Sequence, residues 1–241
     1  MNLQEEIETL VVTASGYGIA VTREQAERLV GHLRLVEEKN KVVNLTRIVD
    51  EREAPFLHIL DSLLLVSRLE EAPKGRFLDI GTGAGYPGIP LAVVTGRHGV
   101  LVDSVGKKVN AVQGFIDALG LSELAEARHD RVEELAKRQR GTYAAVVARA
   151  VAQVNVLVEY AAPFLGRDGL LIVAKARPEE DEMLAGNRAA AICGLRPVAL
   201  DEYELPDGLG HREVLTYKRV DSPKVKLPRK VGMASHQPLG A

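Results

Sequence analysis

The sequence predicts an α/β fold: a mostly parallel, Rossmann-like sheet of seven strands with helices on both faces, preceded by a helical extension. Three observations predict it. Apolar residues recur at helical spacing through the first part of the chain. From Arg76 onward, short apolar runs alternate with helical ones, the pattern of a parallel sheet joined by crossover helices. One of those runs ends in a glycine-rich turn that opens straight into a helix, a strand–turn–helix unit of the kind found in ligand-binding sheets.

Taken in order, helices are expected over 3–15, 22–40 and 53–69, with Thr22 as an N-cap and Glu24 near the start of the second. Strands are expected near 76–81, 99–103, 125–128, 144–149 and 170–175, the third being the weakest. The helices between them fall near 88–95, 107–119, 131–138 and 153–164. A further helix over 178–191 leads to strands 195–204 and 212–219, joined by PDGLG, which suits a hairpin at the sheet edge. Residues from Pro223 on are rich in proline, glycine and lysine, a tail lying over the body or disordered. The expected division is a helical extension over 1–72 packed on the core, a Rossmann-like domain over 73–222, and a basic tail over 223–241.

Composition bounds the function. With 46% hydrophobic and 27% charged residues in 241, the chain can bury a full core. The lone Cys193 has no disulfide partner and no surrounding metal ligands, so an inert buried thiol is expected, and no metal. The acidic start MNLQEEIETL is unlike a secretory signal, and no apolar stretch is long enough for a bilayer, so a cytoplasmic protein without membrane association is expected. The net charge of −2 hides local structure: Lys218, Arg219, Lys224, Lys226, Arg229 and Lys230 face only Asp221 in their stretch, which suits either phosphate contact or a solubilising tail.

The chemistry centres on FLDIGTGAGYPGIPLA at 77–92. Glycines at 81, 83, 85 and 88 permit positive φ and close approach of a ligand to the backbone. Gly83 to Gly88 also fits G-x-G-x-x-G, the fingerprint of a dinucleotide site. Asp79 at the strand end argues against a pyrophosphate, which it would repel, and Pro87 removes a donor. S-adenosylmethionine carries no phosphate, and its ammonium suits an acid there. Asp103, twenty positions after Gly83, ends the next strand, where a carboxylate can accept from both ribose hydroxyls or cap the following helix.

Ligands of open parallel sheets bind beyond the carboxyl ends of the strands. Here those ends are Asp79 to Gly81, Asp103, Asp130 to Glu133, Arg149 and Lys175. The two cations suit an acidic or polyanionic ligand, or equally a structural ion pair.

With these pieces in place, the chain resembles the ribosomal RNA small subunit methyltransferase G family, also called glucose-inhibited division protein B. The resemblance is carried by NLTRI at 44–48, HILDSL at 58–63, FLDIGTGAGYPGIPLA, LVDSVGKKV at 101–109, RVEEL at 131–135, ARAVA at 148–152, AKARPEEDE at 174–182 and PRKVG in the tail. It implies a class I S-adenosylmethionine-dependent methyltransferase fold. It also implies methyl transfer to N7 of a guanine in 16S rRNA, of the guanine-527 type in the decoding-region loop, releasing S-adenosylhomocysteine.

On the matching positions, Gly81 and Tyr86 would contact the donor beside Asp79, Gly83 and Gly85. Asp103 would take the ribose, Val132 and Glu133 the adenine side, and Arg149 the cofactor rim. Lys108, Arg131, Lys175 and Arg212 match cations implicated in activity or RNA contact, and Arg229 and Lys230 would extend that contact into the tail. The implied partner is 16S rRNA, the small ribosomal subunit or its precursor, met by a monomer. The chain departs from the family at Ala176, at REVLTYK over 212–218 and at MASHQPL over 233–239.

Guanine N7 has a free lone pair at neutral pH, so no obligatory acid or base is expected, with Lys175 and Arg212 the candidates for holding O6 or phosphate. His58 and Asp61, three apart on a helix, read more readily as structural. Two other readings stay open: methylation of a small molecule or protein, and a cofactor-binding ribosome-assembly factor without turnover.

Overall fold

The structure, a computed structural model, describes residues 2–149 and 151–241. Met1, at the head of the expected extension, and Ala150, within ARAVA, lie outside the described residues.

The chain opens with α1 (Leu3–Gly16) and α2 (Arg23–Asn40), then a π-helical turn (Pro55–Leu60) that runs into α3 (Asp61–Leu63) and α4 (Val66–Glu71). The alternating part follows as β1 (Phe77–Ile80), α5 (Gly88–Thr95), β2 (Gly99–Asp103), α6 (Gly106–Ala118), β3 (Ala125–His129), α7 (Val132–Arg138), β4 (Tyr143–Arg149), α8 (Val154–Ala161), β5 (Leu165–Lys175) and α9 (Glu180–Cys193). It closes with β6 (Leu195–Glu204), β7 (His211–Arg219) and α10 (Met233–His236). The sheet order is β3-β2-β1-β4-β5-β7-β6, parallel through β5 and antiparallel at β7 and β6, so the expected edge hairpin is present.

The central strands divide their side chains between two cores, as a period of two requires. Phe77, Leu101, Val147 and Ile172 face the first, shared with α1, α2, α5 and α6. Leu78, Val102, Val146 and Val173 face the second, under α7, α8 and α9. The helical extension therefore covers one face of the sheet. Thr22 caps α2 as expected, with Gln25 rather than Glu24 completing the reciprocal capping box.

Two expectations are corrected. The helix expected over 53–69 is broken: the Asp61 N–H bonds to Phe56 O, five residues back, and the helical path lapses at Leu64 and Leu65 before α4. Strand β5 begins at Leu165, earlier than its apolar run, because Arg167 and Asp168 continue the strand with Asp168 at positive φ. Of the two readings of the segment from Pro223 on, the first holds: it is docked along the body. Leu227 is 2% exposed in the second core, burial worth about 1.5–3 kcal/mol for such a side chain. The Lys224 N–H bonds to Ile192 O at 2.8 Å. Half of the basic stretch is held as well: Lys218 pairs with Asp168, Arg219 donates to Ala162 O and Leu165 O, and Arg229 grips Glu159.

Candidate functional site

A cavity of about 1020 Å³ opens at the carboxyl edge of the parallel strands, where sheet order reverses between β1 and its neighbours β2 and β4. Its walls come from the ends of β1 to β5, from Leu45 to Ile48 and Leu57, His58 and Asp61 of the helical extension, and from Arg212 and Ser235. Because β7 runs antiparallel to β5, its start lies beside the end of β5, with Glu213 opposite Lys175. That reversal brings Arg212 to the same rim.

The glycine loop divides into an outer and an inner half. Gly81 (φ 73°) and Gly83 (φ 61°) lie on the cavity wall, and a Cβ on Gly83 would meet nothing nearer than Gly81 O at 3.9 Å. The loop thus offers bare backbone to a ligand. Gly85 is buried away from the cavity, and a Cβ there would come within 2.8 Å of Ile89 and 3.0 Å of His32. It serves packing, which corrects its expected place among cofactor contacts.

Asp79 needs the same correction. It is 0% exposed, beneath the loop, with Oδ2 accepting the Gly88 N–H at 2.9 Å. Burial raises its pKa to about 7; Gly88 and Arg149 pull it partway back, and so does the nearby Thr82 hydroxyl. Neither that hydroxyl nor Asp79 Oδ1 makes a hydrogen bond. The strand-end acid is enclosed because the loop folds straight back over it. It holds the start of α5 rather than meeting an ammonium.

Asp103 does reach the wall, and both readings of it hold locally. Its Oδ2 accepts the Gly83 N–H at 3.1 Å and its Oδ1 the Val105 N–H at 2.9 Å, so one carboxylate ties the glycine loop to the start of α6. A carboxylate has about four lone-pair sites, which leaves acceptor capacity at the cavity surface. Val132 and Glu133 line the same cavity, and Glu133 Oε1 accepts the Gly232 N–H at 2.9 Å.

Opposite the loop, the π-helical turn positions two groups. His58 is buried, stacked on Tyr86 with ring centroids 4.6 Å apart and planes 8° from parallel; its Nε2 lies 3.2 Å from Thr46 Oγ1. On the other side His32 lies 4.4 Å from the Tyr86 centroid, and its Nε2 donates to Ala84 O at 2.9 Å. Burial lowers His32 to about 3, and burial followed by the Arg149 charge lowers His58 to about 4, so both rings are neutral. Tyr86 is held among them, its phenol pushed upward by burial.

Asp61 then binds two arginines, Arg149 Nη1 at 2.8 Å and Arg212 Nε at 2.9 Å. Arg149 also donates to Leu57 O at 2.8 Å, a carbonyl of the irregular turn. Lys175 pairs with Glu182 at 2.7 Å and donates to Ala152 O at 3.0 Å. Three expected site cations are therefore held by internal acceptors. Arg229 is off the cavity wall, paired with the buried Glu159, which corrects its RNA-contact expectation; Lys230 is exposed. Four wall cations have no ion pair among the described residues: Lys108 and Arg131, both expected, and Arg47 and Arg177, both missed. Each missed residue sits inside a quoted motif, NLTRI and AKARPEEDE, beside better-known chemistry.

The model of the family described as GidB, rRNA small subunit methyltransferase G, matches residues 25–208. Over 235 residues the chain is 35% identical to the ribosomal RNA small subunit methyltransferase G of Pelotomaculum thermopropionicum, covering 96% of this chain and 98% of that one. The protein of the same name from Gloeobacter violaceus is 38% identical over 210 residues, 86% of this chain and 83% of that one. Among solved structures, magnesium protoporphyrin IX methyltransferase from Synechocystis with bound SAM superposes with a TM-score of 0.57 at 15% identity, covering 78% and 97%. Geranyl diphosphate methyltransferase in complex with SAM gives 0.54 at 14%, covering 67% and 85%. At such identities the likeness concerns the fold, which is that of class I S-adenosylmethionine-dependent methyltransferases.

Proposed function

The chain belongs to the rRNA small subunit methyltransferase G family, and on that premise we propose that its cavity binds S-adenosylmethionine and methylates N7 of a guanine in 16S rRNA, of the guanine-527 type. The observation that carries the reading is Asp103, a carboxylate on the wall of a cavity at the sheet's switch point, already bonded to the glycine loop.

The residues present fit that cofactor. Asp103 would accept from the ribose hydroxyls with its remaining lone pairs, Val132 and Glu133 would flank the adenine, and Gly81, Gly83 and Tyr86 would border the methionine part. A cavity of about 1020 Å³ has room for both cofactor and an extruded base. The bound sulfonium supplies an electrophilic methyl group.

The chain's own residues hold and orient. N7 of guanine needs no proton removed, so positioning supplies the rate enhancement. His58, neutral and stacked on Tyr86, gives the substrate side a rigid aromatic wall. Arg149 would border the cofactor at the rim, Arg212 and Lys175 present fixed donors for O6 or a phosphate, and Arg47, Lys108, Arg131 and Arg177 meet the RNA backbone.

Calorimetric titration with S-adenosylmethionine, S-adenosylhomocysteine and NAD tests the cofactor; NAD binding without the other two overturns it. Mapping methylated nucleotides in 16S rRNA from cells with and without the gene tests the target. An unchanged map overturns the RNA assignment.

A further inference from the structure

Seen from the adenine side, one part of the cavity wall is built by the end of the chain. Val225 and Leu227 pack against the second core, and Arg229 forks onto Glu159 of α8 at 2.6 and 2.5 Å. The chain then turns at Gly232, whose φ of 82° suits glycine, and its N–H bonds to Glu133. Glu133 is only 7% exposed, and a carboxylate so enclosed needs a donor. Gly232 N–H is the donor it has among the described residues. In the last short turn Ala234 is buried against the body, and the Ser235 hydroxyl shares a hydrogen bond of 3.1 Å with Tyr160, both residues lining the cavity. Beyond it, Arg188 Nε donates to Gly240 O at 2.8 Å. The segment is thus pinned before, at and after its contact with the cavity.

We propose that the C-terminal segment 223–241 is part of the cofactor site, where Ser235 contributes to the wall and Gly232 fixes Glu133, so that docking of the segment and binding of an adenosine-bearing ligand favour each other. The inference rests on the reading of this cavity as an S-adenosylmethionine site. A segment that fixes a ligand-facing carboxylate stabilises the binding form of the pocket. By reciprocity, the ligand then stabilises the docked segment by the same factor.

Three proteins test it by calorimetry with S-adenosylhomocysteine: the full chain, Ala234→Asp, which lifts the last turn while leaving Leu227 and Arg229 in place, and a chain ending at Ser222. Both altered proteins should bind at least about fivefold more weakly, the low end of measured couplings. In the full chain, saturating ligand should slow amide hydrogen exchange across 224–240. Parent affinity in Ala234→Asp together with unchanged exchange overturns the proposal. Should the shortened chain fail to fold, Ala234→Asp and the exchange experiment decide. A full chain that binds no S-adenosylhomocysteine at all brings down the reading of the cavity itself, a result distinct from binding that ignores the segment.

Discussion

Two sets of cations face the same cavity and differ in what holds them. Arg149 and Arg212 share the carboxylate of Asp61, and Lys175 has Glu182; their side chains are 12%, 15% and 17% exposed. Arg47, Lys108, Arg131 and Arg177 have no acidic partner among the described residues. Moving an inner cation off its acid strands a half-buried charge, which is costly, whereas recruiting an outer one breaks no pair. The inner set therefore fixes geometry and the outer set is free to gather a polyanion. Positive charge at one rim serves two ends, and the difference is set by the layer behind each residue.

Asp61→Ala strikes the inner set hardest. Leaving Arg149 and Arg212 side by side without their carboxylate should cost about 3–5 kcal/mol in denaturant unfolding. Misplacing these donors should lower RNA methylation on the order of 100-fold, even under conditions where the variant is folded. A fully active Asp61→Ala would erase the distinction between the two sets.

Asp103→Ala comes next. Loss of its hydrogen bonds should weaken S-adenosylhomocysteine binding by about 1.5–3 kcal/mol in calorimetry. Because Asp103 also ties Gly83 to Val105, the melting temperature should fall as well. Unchanged affinity with a lowered melting temperature would confine Asp103 to the loop.

Acidification tests the ionisable groups buried behind the inner set. His32 and His58 are depressed to about 3 and 4, below the ordinary 6.5, so between those values the unfolded chain binds more protons and stability falls as pH falls. Asp79, raised to about 7 from 3.8, has the opposite sign: the folded state holds the extra proton, and stability falls as pH rises through that window. From pH 7 to 5 two histidines oppose one aspartate, so unfolding free energy should drop by a net amount on the order of 1 kcal/mol. In Asp79→Asn the opposing contribution is gone and the drop should steepen.

The smallest effects belong to the outer set. Arg47→Ala, or Arg177→Ala, should reduce the slope of log RNA affinity against log salt by roughly 0.7–0.9, with cofactor affinity retained. Arg229→Ala should leave the slope alone, since that guanidinium is committed to Glu159. A shallower slope for Arg229→Ala and none for Arg47→Ala would reverse the assignment.

Much of this was legible in the sequence, because it depends on near neighbours along the chain. Alternating apolar runs placed all seven strands, a strand-end acid twenty positions beyond the glycine loop picked out Asp103, and the spacing of apolar residues identified the helical extension. What the sequence left open were contacts between residues far apart in the chain. Asp61 and Arg212 are separated by 151 positions, and nothing local tells that an antiparallel β7 will bring them together. Asp79 and Asp103 look alike as strand-end acids, yet one is sealed under its own loop and the other reaches the cavity. Arg229 and Lys230 are adjacent and equally basic, but only one side chain finds a buried carboxylate on α8. Local pattern settles which elements form, since backbone hydrogen bonding and side-chain period are local. Which charges stay free is decided by what packs behind them, and that exists only once the chain has folded.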